Sequence, residues 1–294
     1  MDSRHEISAF LRSRRDKITP EQAGLPVYGQ RRVPGLRRGE VAMLAGVSVE
    51  YYTRLERGNL RGASDSVLGA LARALRLDDT ERMHLYDLAR AAGPAPQGQA
   101  RQRATRPVVR PGVARIIEGM PQLPAFVKND RLDTLAANPL GRALFSPMYA
   151  DPTSGANSAR FAFLSPAARQ FYIDWERVTH EAVGVLRIAA GKNPDDRELS
   201  NLIGELCTRS DAFRVMWGSH DVHVFREGTK RLRHPVVGDL ELDHESLALP
   251  DENGLSVVVY SAPPGSATED GLKLLASWSA TAGQEREADT PSTS

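Results

Sequence analysis

The sequence predicts two folded domains of different class: an all-α domain of five helices over residues 1–92, then an α+β domain with an antiparallel sheet over residues 112–281. Three observations predict this. Apolar residues recur at three- and four-residue spacing as far as residue 92, with no competing strand pattern. Residues 93–111 then hold Gly, Pro, Gln, Ala and Arg with almost no large apolar side chain, which marks a linker. Beyond residue 220 the apolar period switches to two, the signature of half-buried strands.

The first helix is predicted over Glu6 to Lys17, with Ile7, Phe10, Leu11 and the stem of Arg14 inward, ending before Thr19-Pro20. A loop rich in Gly, Pro and Arg runs to Pro34, and helices follow over Arg37 to Ala45, Ser48 to Arg57, Ser64 to Leu75 and Asp78 to Ala91. Asp78 and Glu81 have the spacing of a capping box, in which each side chain satisfies a backbone amide of the other. In the second domain, Leu123 to Lys128 and Arg131 to Ala136 read as strands joined at Asn129-Asp130, residue types that tolerate the positive φ of a tight turn. Ser165-Pro166 opens one long helix with a stripe of Phe171, Trp175, Val178, Ala182, Val185 and Ala189, closed by Gly191. Helices over Asp195 to Thr208 and Ser210 to Trp217 precede strands over Asp221 to Arg226, Thr229 to His234, Asp239 to Leu247 and Leu255 to Ser261. Ser266 and Glu269 make a second capping box ahead of Leu272, Leu275 and Trp278, and the polar residues 282–294 are expected to form a disordered tail.

The net charge of +1 hides an asymmetry: residues 1–110 carry 20 Lys and Arg against 12 Asp and Glu, and residues 111–294 carry 18 against 25. A basic front domain attracts a polyanion by releasing its condensed counterions, whereas an acidic one does not. No stretch approaches the roughly 20 apolar residues of a bilayer span, and Met1 to Lys17 is polar rather than signal-like, so a cytoplasmic protein with no membrane partner is expected. Cys207, the single cysteine, sits in an apolar pattern with Leu202, Ile203 and Leu206 and reads as a small buried hydrophobe. His220, Asp221, His223 and His234 invite a metal reading, but on a strand His220 and His223 point to opposite faces. No zinc spacing, phosphate loop or nucleophile elbow accompanies them, so no catalytic residue, metal or cofactor is expected, and no enzyme.

The most informative run is Leu36-Arg37-Arg38-Gly39-Glu40-Val41-Ala42-Met43-Leu44-Ala45-Gly46-Val47-Ser48-Val49-Glu50-Tyr51-Tyr52-Thr53-Arg54-Leu55-Glu56-Arg57-Gly58. Val41, Ala42, Val47, Tyr52 and Leu55 fall where two crossing helices touch, Gly46 suits a left-handed turn, and Ser48 caps the second helix. Val49, Glu50, Thr53 and Arg54 then face outward with Tyr51 at the edge, the arrangement of a helix-turn-helix that enters a major groove. With Val67-Leu68-Gly69-Ala70-Leu71-Ala72-Arg73-Ala74-Leu75, this run resembles the Xre and Cro family of bacterial and phage repressors. The resemblance implies a double-stranded DNA operator, with base-edge contacts from Val49, Glu50 and Arg54. Chemically, Glu50 can accept from cytosine, Arg54 can donate twice to guanine, and Val49 can meet a thymine methyl. The family's phosphate-binding glutamine is Arg38 here, which makes that contact ionic and more salt-sensitive. The candidate DNA-contacting set is Arg37, Arg38, Ser48, Val49, Glu50, Tyr51, Thr53, Arg54 and Arg57, while Glu56 with Arg57 is expected to pack as an ion pair or cap.

Leu123-Pro124-Ala125-Phe126, Leu135-Ala136-Ala137-Asn138-Pro139, Ser219-His220-Asp221-Val222 and the run from Gly228 to Leu240 resemble the MmyB-like ligand-binding domain of actinobacterial regulators, a PAS-like fold. That resemblance implies an apolar pocket between sheet and helices for a small apolar molecule, fatty-acid-like as in a relative. The candidate lining is Phe126, Leu135, Trp175, Val178, Met216, Trp217, His220, Phe225 and Tyr260, although such a stripe also describes plain core. A homodimer is expected, because one short recognition helix reads few base pairs. The alternative is an antitoxin-like module that binds DNA and protein with no small-molecule ligand.

Overall fold

The structure is a computed structural model that describes residues 3–26, 33, 35–93, 108–219, 227–250 and 254–288. Helices α1 (Ser3–Lys17), α2 (Arg38–Ala45), α3 (Val49–Glu56), α4 (Asp65–Ala74) and α5 (Asp79–Ala92) lie where the apolar spacing places them. Ser48, Ser64 and Asp78 cap α3, α4 and α5 by accepting from the amides of Tyr51, Val67 and Glu81. The Glu81 carboxylate returns a bond from the Asp78 amide at 3.1 Å, completing the capping box. The core gathers Ile7, Phe10, Leu11, Val41, Tyr52, Leu55, Leu71 and Leu85. Arg14 buries more than its stem, because its guanidinium pairs with Glu81 inside. Gly58 holds φ at 90°, and a Cβ there would collide with the Arg4 backbone, so conformation and space both demand glycine.

The chain divides into two compact units, the first comprising Met1–Arg103 with Val183–Val224 and the second Ala104–Ala182 with Phe225–Ser294. Unit one therefore adds to α1–α5 the C-terminal part of α11 (Trp175–Lys192), with α12 (Arg197–Arg209) and α13 (Asp211–Gly218). Arg187 of α11 is fully buried, pairs with Glu6 of α1 at 2.6 Å and stacks 4.2 Å from the centre of the Trp217 ring. A charge buried this deeply is tolerable only when paired, so Glu6 and Arg187 each depend on the other.

Unit two is a five-stranded antiparallel sheet of order β2-β1-β5-β4-β3, formed by β1 (Ala125–Lys128), β2 (Thr134–Ala137), β3 (Glu227–His234), β4 (Gly238–Ala248) and β5 (Ser256–Ser261). Phe126 lies opposite Val258, His244 opposite Tyr260, and Lys230 opposite Leu242. Strand alternation therefore puts Phe126, Lys128, Lys230, Leu232, His234, Leu240, Leu242, His244, Val258 and Tyr260 on one inner face. Helices α7 (Pro139–Leu144), α8 (Ser146–Ala150), α9 (Ser158–Leu164), α10 (Pro166–Phe171) and α14 (Ala267–Ala288) surround this face, and the cluster against it includes Leu140, Phe145, Phe161, Phe171 and Leu272. Helix α6 (Pro111–Glu118) packs Val113 and Ile117 on the opposite face. Among the described residues no helix is long and apolar enough to cross a membrane.

Four local expectations change. The β1–β2 turn takes its positive φ, 65°, at Leu132 rather than at Asn129-Asp130, because the Asn129 side-chain oxygen holds the amides of Arg131 and Asp133. The long helix from Pro166 is two helices: between α10 and α11, Tyr172 bridges Leu232, and the Ile173 amide donates to the Arg231 carbonyl at 3.1 Å. The open edge of β3 thus captures backbone that periodicity assigns to a helix. Ser266 does accept from the Glu269 amide, but the Glu269 carboxylate turns to the Gly265 amide at 2.8 Å. Finally, α14 runs through Ala288, past the start of the expected disordered tail, because Gln, Glu, Arg and Ala are good helix formers. The expected strand over 221–226, most of the linker, and residues 289–294 lie outside the described residues.

Candidate functional site

Helix α2 stops at Gly46, φ 66°, where the amides of Gly46 and Val47 bond back to the carbonyls of Met43 and Ala42. Two residues on, the Ser48 hydroxyl caps α3 by accepting from the Tyr51 amide at 3.1 Å. This tight turn sets α3 across α2, burying Val41, Ala42, Tyr52 and Leu55 and half-burying Val47. Val49, Glu50 and Arg54 are exposed, Thr53 and Tyr51 half-buried, and Arg37, Arg38, Ser48 and Arg57 exposed. Among the described residues the side chains of Val49, Glu50 and Arg54 have no hydrogen-bond or ion-pair partner, so this face is polar, mixed in charge and uncommitted.

Behind it lies a buried ionic lock. The Glu56 carboxylate accepts from Arg15 Nε at 2.8 Å and from Arg38 Nε at 3.0 Å, and a further Arg15 nitrogen reaches the Leu36 carbonyl at 2.8 Å. Burial opposes the Glu56 charge, but Arg15, aided by Arg38, outweighs it and holds the carboxyl below its ordinary range. Burial and the adjacent Glu56 push the Tyr52 hydroxyl far up, so it stays neutral. The partners of Glu56 are thus Arg15 and Arg38, while Arg57 stays exposed at the end of α3. Arg38 keeps half its side chain in solvent while Glu56 fixes its direction.

In unit two, the inner face is aromatic at its centre: Phe126 meets Phe145 at 5.3 Å and Tyr260 at 5.9 Å, and Phe145 meets Phe171 at 5.5 Å between ring centres. Two lysines share that face, Lys128 buried and Lys230 half-buried. Lys128 Nζ donates to the Ser158 hydroxyl at 2.9 Å and sits 5.4 and 5.5 Å from the Phe126 and Phe145 ring centres. Lys230 lies 3.5 Å from Glu181 of α11, which is also 3.4 Å from Arg177. Burial, with Lys230 nearby, pulls the Lys128 amine from its usual 10.5 down to about 7.

Residues 6–85 match a helix-turn-helix domain family, and residues 109–275, more than half of the chain, match the MmyB-like transcription regulator ligand binding domain. The chain belongs to the MmyB-like family. Its architecture is that of a DNA-binding transcriptional regulator with a ligand-sensing domain. No match to the chain was found among curated proteins.

Within the MmyB-like domain the expected lining residues are brought together only in part. Phe126, Val178 and Tyr260 share one buried cluster, with Trp175 at its edge donating to the Ala162 carbonyl at 2.8 Å. Leu135 falls on the opposite face with Val113 and Ile117, because a bulge after Val127 shifts the register and breaks the alternation that pairs it with Phe126. Met216 and Trp217 lie in unit one, Trp217 stacked on Phe213 at 5.5 Å. His220 and Phe225 lie outside the described residues. Asn138 of the Leu-Ala-Ala-Asn-Pro run is structural: fully buried, it accepts from the Ala125 and Gly141 amides and donates to the Met120 and Leu123 carbonyls. A cleft of about 840 Å³ opens beside the domain core, lined by Tyr172, Trp175, Arg177, Thr229, Arg231 and Glu241 among others. The residues that sequence reading missed are Lys128, Lys230, Glu181 and His244; the three on strands become visible as polar residues at inward positions once register is fixed.

Proposed function

We propose that this chain is a cytoplasmic, non-enzymatic regulator that reads a double-stranded operator as a homodimer and responds to a small apolar, fatty-acid-like ligand. The observation that carries the DNA reading is the exposed outer face of α3: Val49, Glu50 and Arg54 project from a framework that Glu56, Arg15 and Arg38 hold rigid. In this reading Arg54 donates to guanine, Glu50 accepts from cytosine and Val49 meets a thymine methyl. Arg38, with Arg37, Ser48, Tyr51, Thr53 and Arg57 around it, engages the phosphate backbone and sets the register. The ligand reading is supported by the aromatic inner face of the MmyB-like domain. The chain passes from one unit to the other within α11, which carries both Glu181 and Arg187, and ligand binding alters the spacing of two reading heads through such elements.

The two arginines separate the roles. Arg54→Ala is expected to cost about 1–3 kcal/mol on the operator and little on random DNA. Arg38→Ala should weaken binding to all sequences and lower the salt slope by about one. Fluorescence anisotropy on operator and random duplexes across a salt series measures both, and equal losses on the two DNAs for both variants would overturn the assignment.

A further inference from the structure

Helix α1 is held to α3 at both of its ends. Near its start the Arg4 backbone packs so closely on Gly58, just past α3, that a Cβ there would collide with it; near its end Arg15 pairs with Glu56, the last residue of α3, at 2.8 Å. Between those points Glu6 of α1 meets the C-terminal half of α11. Arg187 donates to the Glu6 carboxylate at 2.6 Å and to the Trp217 carbonyl, and its guanidinium lies 4.2 Å from the Trp217 ring centre. Arg187 is fully buried and Glu6 is 4% exposed. Next to Arg187, Ile188 packs against the core of α1–α5, and one turn on Gly191 passes so near α5 that a Cβ would fall 2.7 Å from the His84 ring. The first half of the same unbroken helix carries Val178 in the core of unit two and Glu181 beside Lys230. Two apolar side chains of similar volume would fill the place of Glu6 and Arg187 without desolvating two charges, so stability alone does not account for the pair. What a buried ion pair adds is register: an apolar seam lets two helices slide, whereas any offset here strands two charges in the interior.

We propose that Glu6 and Arg187 are a positioning pair for operator reading: they lock α1 to α11 in one register, so that a displacement of α11 moves α1 and, through Arg15 and Glu56, the face of α3 that meets DNA. This rests on the DNA reading above and goes further by naming the residues that tie the reading helix to a helix of the ligand-binding domain. Both side chains are buried and act only through the helices they join. Coupling of this kind is reciprocal, so DNA that fixes α3 also restrains α11. The restraint reaches the part of α11 that belongs to unit one, from Val183 onward.

The test is amide hydrogen exchange on the full-length protein, free and saturated with the duplex upstream of its own gene. In wild type the duplex should slow exchange in α11 from Val183 to Lys192 by about tenfold, within the usual range for two coupled sites. In the double variant Glu6→Gln with Arg187→Met, which removes both charges and keeps the volume, that slowing should fall below about twofold at saturating duplex, with a denaturant midpoint no lower than that of wild type. A pair that only held the fold together would shift the midpoint and leave the response to DNA unchanged. Exchange in wild-type α11 that ignores a bound duplex overturns the coupling while leaving the DNA reading standing, and undiminished slowing in the double variant overturns the pair as its carrier. Failure of folded wild type to bind the duplex overturns both. The comparison on wild type needs no variant to fold.

Discussion

Glu56→Ala is expected to destabilise the protein by about 3–5 kcal/mol and to abolish operator binding. The loss comes from what remains behind: Arg15, 7% exposed, keeps its charge and loses the carboxylate 2.8 Å away, while Arg38 loses its orienting partner. Because the Glu56 carboxyl is held below its usual 4.5 in the folded state, its stabilising contribution is fully present above that pH. It fades as pH falls through the folded value, so wild type should lose stability in acid more steeply than Glu56→Ala. Urea denaturation of both proteins at pH 7 and pH 4 measures this. A loss under about 1 kcal/mol at pH 7 would show that the lock contributes little.

The opposite sign is expected at Lys128. Its amine titrates at about 7 when folded and at 10.5 when free, so between those values the unfolded chain binds more protons and stability rises with pH. Below pH 7 the full penalty applies, on the order of 3–5 kcal/mol, since each tenfold loss of proton affinity on folding costs about 1.4 kcal/mol. Lys128→Met should therefore stabilise the ligand-free protein at pH 7 by an amount of that order, and the gain should shrink as pH is raised to 9.5. Denaturant midpoints of the two proteins at both pH values check it. A destabilised Lys128→Met at pH 7 would mean that interactions made by the amine in the empty domain offset its burial.

Much of unit one was legible because its determinants are local. Gly46, Ser48 and Asp78 act within four residues of themselves, and the alternation of inward and outward residues on α3 follows from helix period alone. What escaped depends on distant partners: the burial of Arg187 requires Glu6, and the direction of Arg38 requires Glu56. In unit two the strands β3 to β5 are legible from period two, but strict alternation groups Leu135 with Phe126, whereas the bulge, which carries no signature in residue type, leaves it with Val113 and Ile117. Tyr172 and Ile173 broke a helix that periodicity made continuous, since the edge of β3 offered their backbone other partners. The strand from Thr229 to His234 is basic in composition, which by itself does not say which of its cations face inward. Register instead turns Lys230, Leu232 and His234 inward and leaves Arg231 and Arg233 outside, paired with Asp174 and Asp239 at 2.7 and 2.8 Å.

The reading of DNA by α3 is tested most directly by binding of the full-length protein to the DNA upstream of its own gene against a shuffled duplex, from about 50 to 200 mM salt. At least about a thousandfold preference for the upstream sequence is expected, with affinity falling steeply as salt rises. Equal affinity for both duplexes, or no binding by folded protein at the lowest salt, would contradict it.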